Sequence, residues 1–116
     1  MKLTIREFLT AEGRSPFRDW LENLGVTVRA RVQARVLRFE TGNIGDCRAV
    51  GGGVCEARLM FGSGHRIYFG REGPSTILLL LGGDKASQRK DIREARRFWR
   101  EYLEASRHGE TQQGLE

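Results

Sequence analysis

Arg58, Arg66 and Lys85, with Tyr68, Arg89 and Lys90 nearby in the chain, are the side chains whose types and spacing suit chemistry on a phosphate. A guanidinium grips two phosphate oxygens at once and an ammonium can carry a proton. Cations gathered on one surface can therefore neutralise charge that builds up at phosphorus. Strand parity brings the first two together, because side chains alternate between faces. In residues 54–61, Cys55, Ala57, Leu59 and Phe61 take the inner face, and Val54, Glu56, Arg58 and Met60 the outer, solvent-facing one. In residues 65–71, Ile67 and Phe69 point inward and Arg66 and Tyr68 outward, while His65 lies on the inner parity at the strand's mouth. A regular hairpin through Gly62-Ser63-Gly64 then sets Arg58 beside Arg66.

The stretch LLLLGGDKASQRKDI, residues 78–92, supplies the third cation. Its leucines read as a central strand buried on both faces. Gly82 and Gly83 are expected to let the backbone turn without steric cost, delivering Asp84 and Lys85 to the rim of the outer face. Asp84 equally suits a cap for the helix that follows. Arg58, Arg66, Lys85 and Arg89 or Lys90 would form a cationic bowl, with Tyr68 its one aromatic. Taken singly, Arg58 beside Glu56 is a surface ion pair worth about 0–1 kcal/mol, and Tyr68 is a packing aromatic. Several like charges converging on one surface imply an anion among them.

The elements that must position these residues follow from spacing. Residues 2–8 alternate, with Leu3 and Ile5 on one face, and predict a strand. Ser15 and Pro16 suit the cap and first turn of a helix carrying Phe17, Trp20, Leu21 and Leu24 up to Gly25. Residues 27–42 alternate at period two, but Val28, Val32, Val36 and Phe39 make one helical stripe, and the Ala, Arg and Gln content favours a helix ending at Gly42. The glycine-rich loop 43–53 has no GxxxxGK[ST] and is a turn rather than a phosphate-binding loop. Strands at 54–61, 65–71 and 76–81 make an antiparallel meander. A last helix spans about 87–106, with Ile92, Ala95, Trp99, Tyr102 and Leu103 on its apolar side, and residues 107–116 read as a disordered polar tail. The order β-α-α-β-β-β-α predicts an α+β domain over residues 1–106, with helices on one face of a small antiparallel-rich sheet and the other face open.

Bulk properties agree with one such domain. At 116 residues and 39% hydrophobic, the chain can bury roughly two thirds of its unfolded surface. No stretch approaches the ~18 apolar residues of a membrane span, and a soluble cytoplasmic protein is expected. Cys47 and Cys55 lack CxxC or His-cluster spacing, so reduced thiols and no metal or other cofactor are expected. The net charge of +5 and pI of about 9.9 come almost wholly from arginine, lysine occurring only at 2, 85 and 90. This usage suits a nucleic-acid partner, although a GC-rich genome would also favour arginine.

VGGGVCEARLMFGSGHRIYFGR and LLLLGGDKASQRKDIREA resemble the RelE/ParE superfamily of toxins, in its HigB-like "addiction module killer protein" branch. The shared pattern, GGGVxExR…GxxxRIYF…LLLxGGDKxxQxxDIxxA, runs without gaps from Gly51 to Ala95, and the helical pair before it fits through ETGNIGD. The resemblance implies a RelE-like fold and a toxin of a type II toxin–antitoxin pair, neutralised by a small helix-turn-helix antitoxin. It implies either ribosome-dependent endoribonuclease activity on mRNA or, as in ParE-like members, poisoning of DNA gyrase. The family positions matched are Arg58, Arg66, Tyr68 and Lys85. Family enzymes end soon after a tyrosine or histidine, whereas this chain runs on as a helix with no such residue before Tyr102. Under the mRNA reading, Arg66 and Arg58 would neutralise the phosphorane, Lys85 would move a proton, and Tyr68, Arg89 and Lys90 would hold the substrate. Under the gyrase reading, the last helix with Trp99 and Tyr102 would be the contact. A nucleic-acid-binding module without catalysis is a third reading.

Overall fold

The computed structural model describes residues 2–114, with side chains described for residues 2–107. In chain order the elements are β1 (Thr4–Glu7), α1 (Pro16–Glu22), α2 (Val26–Glu40), β2 (Cys47–Ala49), β3 (Val54–Arg58), β4 (Arg66–Glu72), β5 (Thr76–Gly83) and α3 (Gln88–Gly114). The strands form one five-stranded sheet in the order β1-β5-β4-β3-β2. β1 runs parallel to β5 and every other pair is antiparallel. The molecule is an α+β fold with a mixed sheet, and the expected meander is its β3-β4-β5 core.

Local chemistry accounts for the helices. Ser15 caps α1, its hydroxyl accepting from the Arg18 amide at 3.0 Å, with Pro16 in the first turn. The α2 stripe packs as its spacing requires, with Val32 and Phe39 fully buried and Val28 and Val36 against the same cluster. Gly42, at φ 90°, takes the chain out of that helix in a conformation that favours glycine.

The expected arrangement needs four corrections. β2 lies inside the stretch read as a loop, pairing Cys47 with Ala57 and Ala49 with Cys55. It is three residues long and exposed throughout, so it carries no hydrophobic alternation to read. Second, the helices do not leave one face open. α1 and α2 cover one side over a core including Phe17, Phe39, Ile67, Phe69, Ile77 and Leu79. α3 covers the other over Val54, Tyr68, Leu78, Leu80, Phe98 and Trp99.

Third, Gly82 and Gly83 are part of β5, and neither has a positive φ. They make room. A Cβ on Gly82 would overlap the Trp20 ring on one face, and a Cβ on Gly83 would overlap the Asp91 carboxylate on the other. Gly70 does the same in mid-β4 for Trp99. Fourth, α3 extends beyond residue 106 into the segment expected to be disordered. Glu, Gln and Arg in that segment are good helix formers and it holds no proline, although Gly109 costs about 1 kcal/mol relative to alanine. Residues 115 and 116 of the expected tail lie outside the described residues. No helix among the described residues is long and apolar enough to cross a membrane.

Candidate phosphate-binding site

The β3–β4 register makes Arg58 and Arg66 direct partners, and the β4–β5 register sets Arg66 opposite Gly83. Lys85, two residues beyond β5, lies against the Gly62–Gly64 turn, its amide donating to the Ser63 carbonyl at 3.4 Å. A Cβ built on Gly64 would touch both an Arg66 terminal nitrogen and Lys85 Cβ, at 3.3 and 3.5 Å. The three cations thus converge at one end of the sheet. Beside them is a pocket of about 240 Å³ lined by Arg58, residues 59–62, Gly64, His65 and Arg66. The bowl sits on this rim and not on the sheet face, which α3 occupies.

Arg58 and Lys85 are exposed, and neither has a carboxylate within ion-pair distance among the described residues. Arg66 is different. It is 4% exposed, donates to the Gly64 carbonyl at 2.5 Å, and holds Nε 3.5 Å from Glu56 Oε2. That Nε–H has no hydrogen-bond partner, so its attraction to Glu56 is electrostatic, and the guanidinium is fixed by its surroundings.

Glu56, expected to face solvent, is fully buried beneath α3. Its carboxylate accepts from Tyr68 Oη, Gln88 Nε2 and Arg48 Nε, each at 3.0 Å. One anion therefore joins β2, β3, β4 and the first turn of α3. Burial pushes the Glu56 carboxyl up, but hydrogen bonds from Gln88, Arg48 and Tyr68 and the Arg48 charge outweigh it and hold the group below the usual carboxylate range. Tyr68, expected on the open face as a stacking aromatic, is fully buried instead. Burial, then the Glu56 charge, pushes its phenol well above the ordinary value, so at neutral pH it stays a donor.

Asp84 closes the turn that leads into α3: its Oδ1 accepts from the Ser87 amide at 3.1 Å and lies 3.2 Å from the Ser87 hydroxyl. The same hydroxyl, with a single proton to give, lies 2.5 Å from Asp91 Oδ2, whose carboxyl burial pushes up. Arg89 and Lys90 are exposed in the first turn of α3, and no described contact ties them to the pocket. Trp99 and Tyr102, the contact surface of the gyrase reading, stack at 5.8 Å; Trp99 is 6% exposed and Tyr102 donates to Glu72 at 2.7 Å.

Arg35 was missed by sequence reasoning. Buried within the α2 stripe, it donates to the carbonyls of Arg58 at 3.0 Å, Asp46 at 3.0 Å and Ile44 at 3.3 Å. It therefore pins the backbone that carries Arg58. The available signal was its spacing, three residues after Val32 and four before Phe39, which puts a charge on an apolar face. His65, read as isolated, lies between Phe61 and Trp20, with ring centroids 5.7 and 6.4 Å away, and lines the pocket. Among the described residues no group of three or more His, Cys, Asp or Glu could hold a metal ion, and both cysteines are free thiols.

No family model matches the chain. It is 37% identical over 97 residues to an uncharacterized protein of Haemophilus influenzae, across 83% of this chain and 92% of the other. The two chains belong to one family.

Proposed function

We propose that this protein is the toxin of a type II toxin–antitoxin pair, a RelE/ParE superfamily member of the HigB-like branch that cuts mRNA on the ribosome in the cytoplasm. The observation that carries the reading is the convergence of Arg58, Arg66 and Lys85 at one end of the sheet, where Arg58 and Arg66 line a pocket, Lys85 lies against the Gly62–Gly64 turn beside it, and Arg58 and Lys85 lack carboxylate partners among the described residues. Three cations at one rim cost Coulomb energy that an entering phosphate would recover.

In the proposed reaction the 2′-oxygen attacks phosphorus, and the bond from phosphorus to the 5′-oxygen breaks, leaving a 2′,3′-cyclic phosphate and a 5′-hydroxyl. Arg66, held rigid, and Arg58, opposite it, take the charge on the two non-bridging oxygens. The 2′-hydroxyl must lose a proton and the 5′-oxygen must gain one, and Lys85 is the group assigned to proton transfer. Tyr68 contributes through Glu56 and not by stacking on a base. Ribosomal positioning of the mRNA supplies the orientation that so sparse a site lacks.

The experiment is induction in a growing culture with primer extension on cellular mRNA. The wild-type chain should arrest growth and produce new 5′ ends. Arg58→Ala and Lys85→Ala alter exposed side chains and should each slow cleavage about 10²-fold or more while leaving the melting temperature nearly unchanged. Growth arrest retained in Arg66→Ala would refute the assignment. The antitoxin should carry an acidic amphipathic segment that competes for the same cations, and co-purification with the product of a neighbouring reading frame tests for it.

A further inference from the structure

The pocket at Arg58 and Arg66 has a neighbour. Across residues 59–61 lies a second pocket of about 330 Å³, lined by Arg31, Ala34, Arg35, Arg38 and the same Leu59, Met60 and Phe61. A single ridge separates the two, and Met60 on that ridge is 79% exposed. Arg31 and Arg38 are two helical turns apart on α2, so they project from one face. Both are exposed, and neither has a carboxylate partner among the described residues. The Arg31 guanidinium lies 4.9 Å over the Phe61 ring, which fixes it beside the ridge. Arg35 is spent on backbone carbonyls and supplies no free donor fork. On the other side, His65 is 9% exposed and keeps Nδ1 buried with no hydrogen-bond partner. A polar ligand group entering that pocket would complete what the protein leaves unpaired.

Cations on both sides of an apolar ridge match the needs of a single strand, whose phosphates track positive charge while its bases lie on apolar surface. We infer that the two pockets form one track for single-stranded RNA. Arg58 and Arg66 hold the reacting phosphate, Arg31 and Arg38 hold a phosphate farther along, and the base between them lies on Met60. The inference rests on the RNA-cleaving reading and extends it to where the strand runs.

The test uses the full chain and fluorescein-labelled oligouridylates, 2′-O-methylated so that nothing can be cleaved. A trinucleotide and an octanucleotide are titrated by fluorescence anisotropy at low salt and along a salt series. Arg31→Gln with Arg38→Gln should weaken the octanucleotide about tenfold, hardly affect the trinucleotide, and flatten the salt slope by about 0.7, the value for one lost phosphate contact on a single strand. Equal octanucleotide affinity and slope in the variant would overturn the track, yet leave the reaction intact if Arg66→Ala still abolished cleavage in cells. Binding of a polyglutamate peptide through Arg31 and Arg38, with neither RNA bound, would overturn it in favour of a protein partner. Absence of binding to any of the three probes would overturn it as well.

Discussion

Removing the Glu56 carboxylate would leave Arg66 without the buried anion it faces and strip an acceptor from Tyr68, Gln88 and Arg48. Breaking a buried charge pair from one side costs about 3–5 kcal/mol, and Glu56→Ala should lose that much in urea denaturation. Glu56→Gln, nearly isosteric, should lose less. The same group sets a pH dependence. Its folded value is depressed, so the stability it adds is present above the unfolded value near 4.5 and disappears as pH falls through the folded value. Asp91 acts oppositely, because burial raises it; its contribution is present below its unfolded value and fades as pH rises through the folded one. The wild-type urea midpoint should therefore fall more steeply between about pH 5 and pH 3 than that of Glu56→Gln. Equal slopes would mean that Glu56 is not held as described. Parity alone placed Glu56, Arg58, Arg66 and Tyr68 on the correct side of the sheet. It gave no sign of what would cover that side, which is why two residues expected in solvent are among the most buried.

At the level of elements, two devices hold the rim in place. Arg35 joins α2 to the end of β3 by three carbonyl contacts. Hydrogen bonds to a charged group contribute about 1.5–3 kcal/mol each, not additively, and Arg35→Met should lower stability by roughly 2–4 kcal/mol. If cleavage is also measured, it should fall too, since the Arg58 backbone is no longer fixed. The other device is the glycine pair at the end of β5. Gly82→Ala forces a methyl into Trp20, and overpacking costs about 1–3 kcal/mol. Combining it with Trp20→Leu should cost less than the sum of the single changes, and a thermal-melt double-mutant cycle checks the coupling. The LLLLGGDK stretch was legible as an interior strand reaching the site. A double glycine reads locally as a turn, and only partners from α1 and α3 reveal that it is a clearance.

On the scale of the molecule, the sheet lies between α1 and α2 on one side and α3 on the other, with separate apolar clusters on its two faces. The α+β class, the β3-β4-β5 meander and the α1–α2 pair follow from periodicity. The strand β2 and the position of α3 do not, since the first is too short to alternate and the second is a choice between two faces. The Gln88–Glu56 bond makes α3 part of the site as well as of the core. A chain ending at residue 87 should therefore show no cooperative unfolding transition by circular dichroism, having lost the cover of Leu78, Leu80 and Tyr68.

β1 is made of residues 4–7, yet its ladder partner is β5, at residues 76–79. Pairing across so much chain is slow, because the intervening segment must close on itself first. During translation the opening strand waits until most of the polypeptide has emerged, and the guanidinium of Arg66 lacks its full setting until Gln88 follows. If the chain attacks messages on ribosomes, the ribosome making it is exposed only after that late segment has cleared the exit tunnel.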